Sequence, residues 1–88
     1  MPKYRIHRLD ENHAEIRAAL EREGATVVSD GPLDLLVGYR GANYLLEVKT
    51  ATGKLREKQD KFIRRWKGQV HVVRSIAEAL AVLGLEVR

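Results

Sequence analysis

The chain has 88 residues, room for one domain with a modest core, and no cysteine, which excludes disulfides and thiolate metal sites. No apolar run approaches the roughly 20 residues that a membrane span needs. The net charge of +4 is unevenly spread: Lys54 to Lys67 hold seven basic side chains against two acidic ones, a local excess of +5, while the remainder is slightly acidic. That concentration fits a surface meeting a polyanion, or a solvated helix face.

Residues 1–9 read as an extended arm or short strand with Tyr4, Ile6 and Leu9 as its apolar members. Lys3, Arg5, His7 and Arg8 break up this stretch, so no apolar leader is expected and the cytoplasm is the expected compartment. A helix is expected to open at Asp10 or Asn12, because Asn12 and Glu15 have capping-box spacing. Ile16, Ala19 and Leu20 form its apolar stripe, and Gly24 closes it. A short strand over 25–29 and the turn Asp30-Gly31-Pro32 follow.

Leu33 to Gly38 is expected to be a central strand covered on both faces. A tight connection over Tyr39 to Asn43 leads to a strand over 44–50, paired with the preceding one as a hairpin. After a loop at Ala51-Thr52-Gly53, a helix from about Leu55 to Trp66 has Leu55, Gln59, Phe62, Ile63 and Trp66 on one face. Gly68 ends it. Gln69 to Arg74 is a valine-rich strand. Ser75 and Glu78 form a capping box for a last helix reaching Gly84, and the tail from Leu85 is loose or a short edge strand. The order is αβββαβα, an α/β fold with a mixed sheet flanked by helices, in a single domain over 1–88.

Charge sits where these strands should be buried: Asp34 on one, Glu47 and Lys49 on the next. Burying an unpaired charge costs several kcal/mol, on the order of a small domain's whole stability, so partners are expected. Glu47 and Lys49 share a face by strand alternation. With the connection centred near Gly41-Ala42, Asp34 would lie across from Val48 or Lys49, within about 5–8 Å. Asp34, Glu47 and the Val48 backbone carbonyl would then offer oxygen ligands suited to Mg²⁺ or Mn²⁺. Such an ion polarises a phosphate and acidifies a bound water, and Lys49 would orient that water or neutralise developing charge. A solvated, salt-bridged strand face is the competing reading. His7, His13 and His71 lack metal-ligand spacing, and no glycine-rich phosphate loop occurs.

A helix glutamate, an aspartate and then glutamate-x-lysine resembles the PD-(D/E)XK nuclease superfamily. The run Asp34-Leu35-Leu36-Val37-Gly38-Tyr39-Arg40-Gly41 followed by Leu46-Glu47-Val48-Lys49-Thr50 is similar, more narrowly, to small stand-alone VRR-NUC proteins of phages and prophages. The stretch Asp10 to Ile16 and the stretches Trp66 to Val70 and Ser75 to Leu80 fit the same pattern. Leu33 stands before Asp34 where the family usually has proline, with Pro32 displaced by one.

The resemblance implies a restriction-endonuclease-like core and a homodimer cutting DNA, including branched substrates and four-way junctions, in a bacterial host. It implies Asp34 and Glu47 as metal ligands, Lys49 as the catalytic lysine, and Glu15 as a further acid acting through metal-bound water. Gln59 matches the family's helix glutamine. Glu15 also fits as the capping partner of Asn12, and Gln59 as a boundary amide. Arg40, Lys54, Arg56, Lys58, Lys61, Arg64, Arg65 and Lys67 are the expected DNA-backbone contacts. A nucleic-acid-binding accessory module without turnover and a structural component of a mobile element are the alternatives.

Overall fold

The computed structural model describes residues 3–86, with side chains from residue 12 onward. Its elements run α1 (Lys3–Arg22), β1 (Thr26–Val28), β2 (Leu35–Tyr39), β3 (Ala42–Val48), α2 (Glu57–Arg65), β4 (Val70–Val73) and α3 (Ile76–Val82). The strands form one sheet in the order β1-β2-β3-β4. β1–β2 and β2–β3 pair antiparallel, and β4 joins β3 in parallel after the α2 crossover. The expected αβββαβα order and mixed sheet with flanking helices are what the chain adopts.

The first helix begins earlier than expected: α1 covers Lys3 onward, so an extended arm over 1–9 is corrected to helix wherever it is described. Met1 and Pro2 lie outside the described residues, as do the last two residues of the tail. Between Pro2 and Gly24 the sequence has no glycine or proline, and residues such as Arg, Leu, Glu and Ala extend a helix at little cost. Asn12 therefore sits inside the helix and is not its cap. The far end behaves as expected. Gly24 takes φ +97°, the Ala25 N–H donates to the Leu20 carbonyl at 3.1 Å, and the Gly24 N–H donates to Glu21 at 3.0 Å. These two bonds make a Schellman motif.

The β2–β3 hairpin is tighter than expected. Tyr39 pairs with Ala42, leaving Arg40-Gly41 as a two-residue turn with φ of 50° and 82°. Positive φ at both positions is what a type I′ turn needs, and its twist matches that of the strands. The hairpin thus centres on Arg40-Gly41, and the strands run Leu35–Tyr39 and Ala42–Val48 in place of 33–38 and 44–50.

One sheet face carries the core. Val27, Leu35, Val37, Leu46, Val48 and Val73 pack against Ile16 and Leu20 of α1 and Ala79, Leu80 and Leu83 of the α3 end. The opposite face is covered more thinly: on β2, Leu35 and Val37 are buried toward the core, and Leu36 on the other side is half-buried. Leu33 and Leu45 are buried on this side. Over it lies α2, shorter than expected and with none of its residues fully buried. Ser75 caps α3, its Oγ accepting from the Glu78 N–H at 3.1 Å, while the Glu78 carboxylate accepts from the Arg74 N–H at 2.7 Å. Leu85 and Glu86 have no regular structure. Among the described residues no helix is long and apolar enough to cross a membrane.

Candidate active site

The hairpin register decides where the acids meet. Leu35 pairs with Leu46, so continuing the ladder by one residue sets Asp34 opposite Glu47. The turn centre lies one residue earlier than expected, which moves the partner of Asp34 by two, from Lys49 to Glu47. Directly opposed residues share a face. The odd-numbered β3 backbone bonds to β4, as the Leu45 and Lys49 N–H groups do to Gln69 and Val73 at 3.0 Å. Asp34 and Glu47 are therefore a non-hydrogen-bonded pair, the kind in which side chains approach most closely. The Val48 N–H donates to Asp34 Oδ2 at 2.8 Å, pinning the aspartate just before β2 begins. The Val48 carbonyl shares that side of the strand.

Among the described residues Glu47 is the buried charge, 3% exposed. Burial raises its pKa above the usual carboxylate range, the Asp34 carboxylate raises it further, and Lys49 pulls in the other direction. Lys49 Nζ lies 3.3 Å from Glu47 Oε2, with the lysine side chain 14% exposed. Gln59 of α2 donates from Nε2 to the same Glu47 oxygen. Its Oε1 accepts the Arg56 N–H at 2.9 Å. A single amide therefore closes the N-terminus of α2 and holds the acid, so its structural and site roles coincide.

The first helix contributes different residues from the one expected. Asn12 donates from Nδ2 to the Lys49 carbonyl at 3.2 Å, and His13 Nε2 stands 3.6 Å from Asp34 Oδ1. Glu15 is exposed and lies outside the pocket lining; the Asn12–Glu15 capping reading is corrected, since the Asn12 amide is used on Lys49, just past the end of β3. The helical stripe Ile16-Ala19-Leu20, traced back one turn, passes through Asn12 and His13. That extension was the signal available for these two residues. After Lys49, the loop is clamped by Arg74, whose guanidinium donates to the Thr50 carbonyl at 2.8 Å and to that of Gly53.

Together Asn12, His13, Asp34, Glu47, Val48, Lys49, Arg56 and Gln59 line a pocket of about 220 Å³. The expected basic contacts divide. Arg56 borders this pocket, and Lys58, Lys61 and Arg65 border a neighbouring one. Lys61 and Arg64 pair along the helix with Glu57 and Asp60 at 3.3 and 2.9 Å. Lys54 and Lys67 are exposed outside the two ends of α2. Arg40 sits over the Tyr39 ring at the hairpin tip, six residues from Asp34 and hence about 20 Å away along the strand.

No family model, curated protein or solved structure matches the chain. Among the described residues, no group of three or more His, Cys, Asp or Glu side chains could hold an ion by itself. Two carboxylates and a backbone carbonyl nonetheless fit the habit of Mg²⁺, which takes one or two carboxylates and completes its shell with water and phosphate oxygens. Burial raises the Glu47 pKa and the neighbouring Asp34 carboxylate adds to it, and a dication between the two acids would relieve that second contribution.

Proposed function

We propose that the chain is a Mg²⁺- or Mn²⁺-dependent endonuclease of the PD-(D/E)XK type that hydrolyses DNA phosphodiesters, working in the cytoplasm as a homodimer on branched DNA such as four-way junctions. The observation that supports this most directly is the convergence of Asp34 and Glu47 on one pocket with Lys49 beside them. Asp34, Glu47 and the Val48 carbonyl would hold the cation, which when bound supplies Lewis acidity toward a phosphate oxygen. Gln59 and Lys49 keep the Glu47 carboxylate turned into the pocket. The Lys49 ammonium donates a hydrogen bond to the attacking water or to a phosphate oxygen as negative charge builds. Arg56 at the pocket edge and the other basic residues around α2 hold the DNA backbone, so affinity falls steeply with salt.

A second reading, a nucleic-acid-binding module without turnover, draws on the position of Glu15 outside the pocket. Incubating labelled four-way junction, flap and linear duplex with and without Mg²⁺ separates the two. Metal-dependent cleavage lost in Lys49→Ala supports the nuclease, and salt-sensitive binding without cleavage supports the module. Light scattering in solution reads the subunit number.

A further inference from the structure

Beside the carboxylate pocket, and sharing Gln59 with it, lies a second cavity of about 400 Å³. Its apolar lining is Pro32, Leu33 and Phe62, and its basic lining is Lys58, Lys61 and Arg65. Among the described residues no acidic side chain borders it. Lys61 is matched by Glu57 at 3.3 Å, whereas no carboxylate pairs with Lys58 or Arg65 among the described residues. Phe62 is held by a neighbour: its ring stacks on Trp66 with centroids 5.2 Å apart and planes 25° apart. Trp66 itself remains 43% exposed. The helix that carries Phe62 buries none of its residues fully, so the ring stays within reach of the recess.

An apolar recess with an aromatic wall and a cationic rim fits a group that is flat and apolar on its faces but attached to anions. We propose that this cavity is a nucleobase subsite, receiving one unpaired base of a DNA strand whose adjacent phosphate lies over Asp34 and Glu47. The identity of the strand rests on the nuclease reading; occupation of the cavity does not require turnover. A base inside a duplex is stacked on both sides and cannot enter a lateral recess, whereas a splayed base can. Stacking on an aromatic ring tolerates any base, so the cavity selects an unpaired nucleotide rather than a sequence. Lys58 and Arg65 then hold the flanking phosphates. The subsite would place the cut next to a junction, bulge or end, where bases are already free.

Trp66 is the only tryptophan in the chain, and its contact with Phe62 makes its emission a reporter of the cavity. The test uses the full chain in EDTA, with a thymidine oligonucleotide of about four residues and an abasic strand of equal length and charge. The base-bearing strand is expected to bind about 5- to 100-fold more tightly and to change Trp66 emission. Phe62→Leu, which keeps an apolar side chain in place, should bring the two strands to near parity with an unchanged far-UV circular dichroism spectrum. Lys58→Ala combined with Arg65→Ala should weaken both strands alike and flatten the salt dependence. Equal affinity of the two strands for the parent protein overturns the proposal, as expected of a surface that serves an acidic protein or charge alone. Failure of both strands to bind overturns it too, as does a base preference that survives Phe62→Leu. Base preference without metal-dependent cleavage of any substrate would refute the nuclease alone, and cleavage without base preference would refute the subsite alone.

Discussion

Replacing Gln59 by leucine cuts the join between α2 and the carboxylate pocket. The bond from Nε2 goes to a buried, charged acceptor, Glu47, and bonds of that kind contribute about 1.5–3 kcal/mol. The Arg56 N–H bond to Oε1, at 2.9 Å, lies at an exposed helix end and contributes about 0.5–1 kcal/mol. The expected loss is therefore about 2–4 kcal/mol. In a domain of this size each kcal/mol moves the thermal midpoint by about 4–8 °C, so the fall should be roughly 8–32 °C. Thermal melts followed by circular dichroism in EDTA at neutral pH measure it. A double-mutant cycle with Glu47→Ala isolates the pair, with an expected coupling of about 1–3 kcal/mol. A midpoint within experimental error of the parent, or a coupling near zero, would show that Gln59 does not hold Glu47.

Three further outcomes follow from the geometry. A divalent cation binding only the folded chain should stabilise it by about 2.7 kcal/mol at a hundred times its dissociation constant; Mn²⁺ should therefore raise the melting temperature of the parent but not of Asp34→Asn, and an equal shift in both would move the ion elsewhere. Because burial and then Asp34 raise the Glu47 pKa, the folded chain binds that proton more tightly than the unfolded one. The resulting stability is fully present below the ordinary glutamate value of about 4.3 and is lost as pH rises through the raised value. Urea melts across pH should show this decline without metal, with a shallower slope in Asp34→Asn. Gly41→Ala meets nothing within 4 Å of its added methyl, so its cost is the backbone at φ +82°, about 1–2 kcal/mol in urea denaturation; an unchanged midpoint would contradict the turn geometry.

Local chemistry made much of this fold legible. Gly24, Gly41 and Ser75 mark turns and ends where the structure has them, and valine-rich runs flank them. Glu47 and Lys49 do share a face, because strand alternation needs no tertiary information. What local chemistry could not supply was the phase between strands. Moving the turn centre by one residue set Asp34 opposite Glu47, a stronger juxtaposition than the one expected with Val48 or Lys49. The start of α1 was hidden because Asn12 and Glu15 imitate a capping box. The Asn12 amide instead reaches the Lys49 carbonyl, 37 residues along the chain, which no local pattern reports. His13 enters the pocket for the same reason, carried by a helix whose true length places it over the strand ends.

The two-residue turn at Arg40-Gly41 lies at the end of the hairpin away from the acids, yet it sets their phase. Sliding one strand by a single residue sends its alternate side chains to the other face. One added residue in this turn, if the ladder followed it, would carry Glu47 out of reach of Asp34 while leaving every atom of the pocket's own residues unaltered in composition. A change of loop length about 20 Å away would then act on the carboxylate pocket as directly as a substitution within it. Any change to the hairpin has to treat that distant bend as part of the pocket.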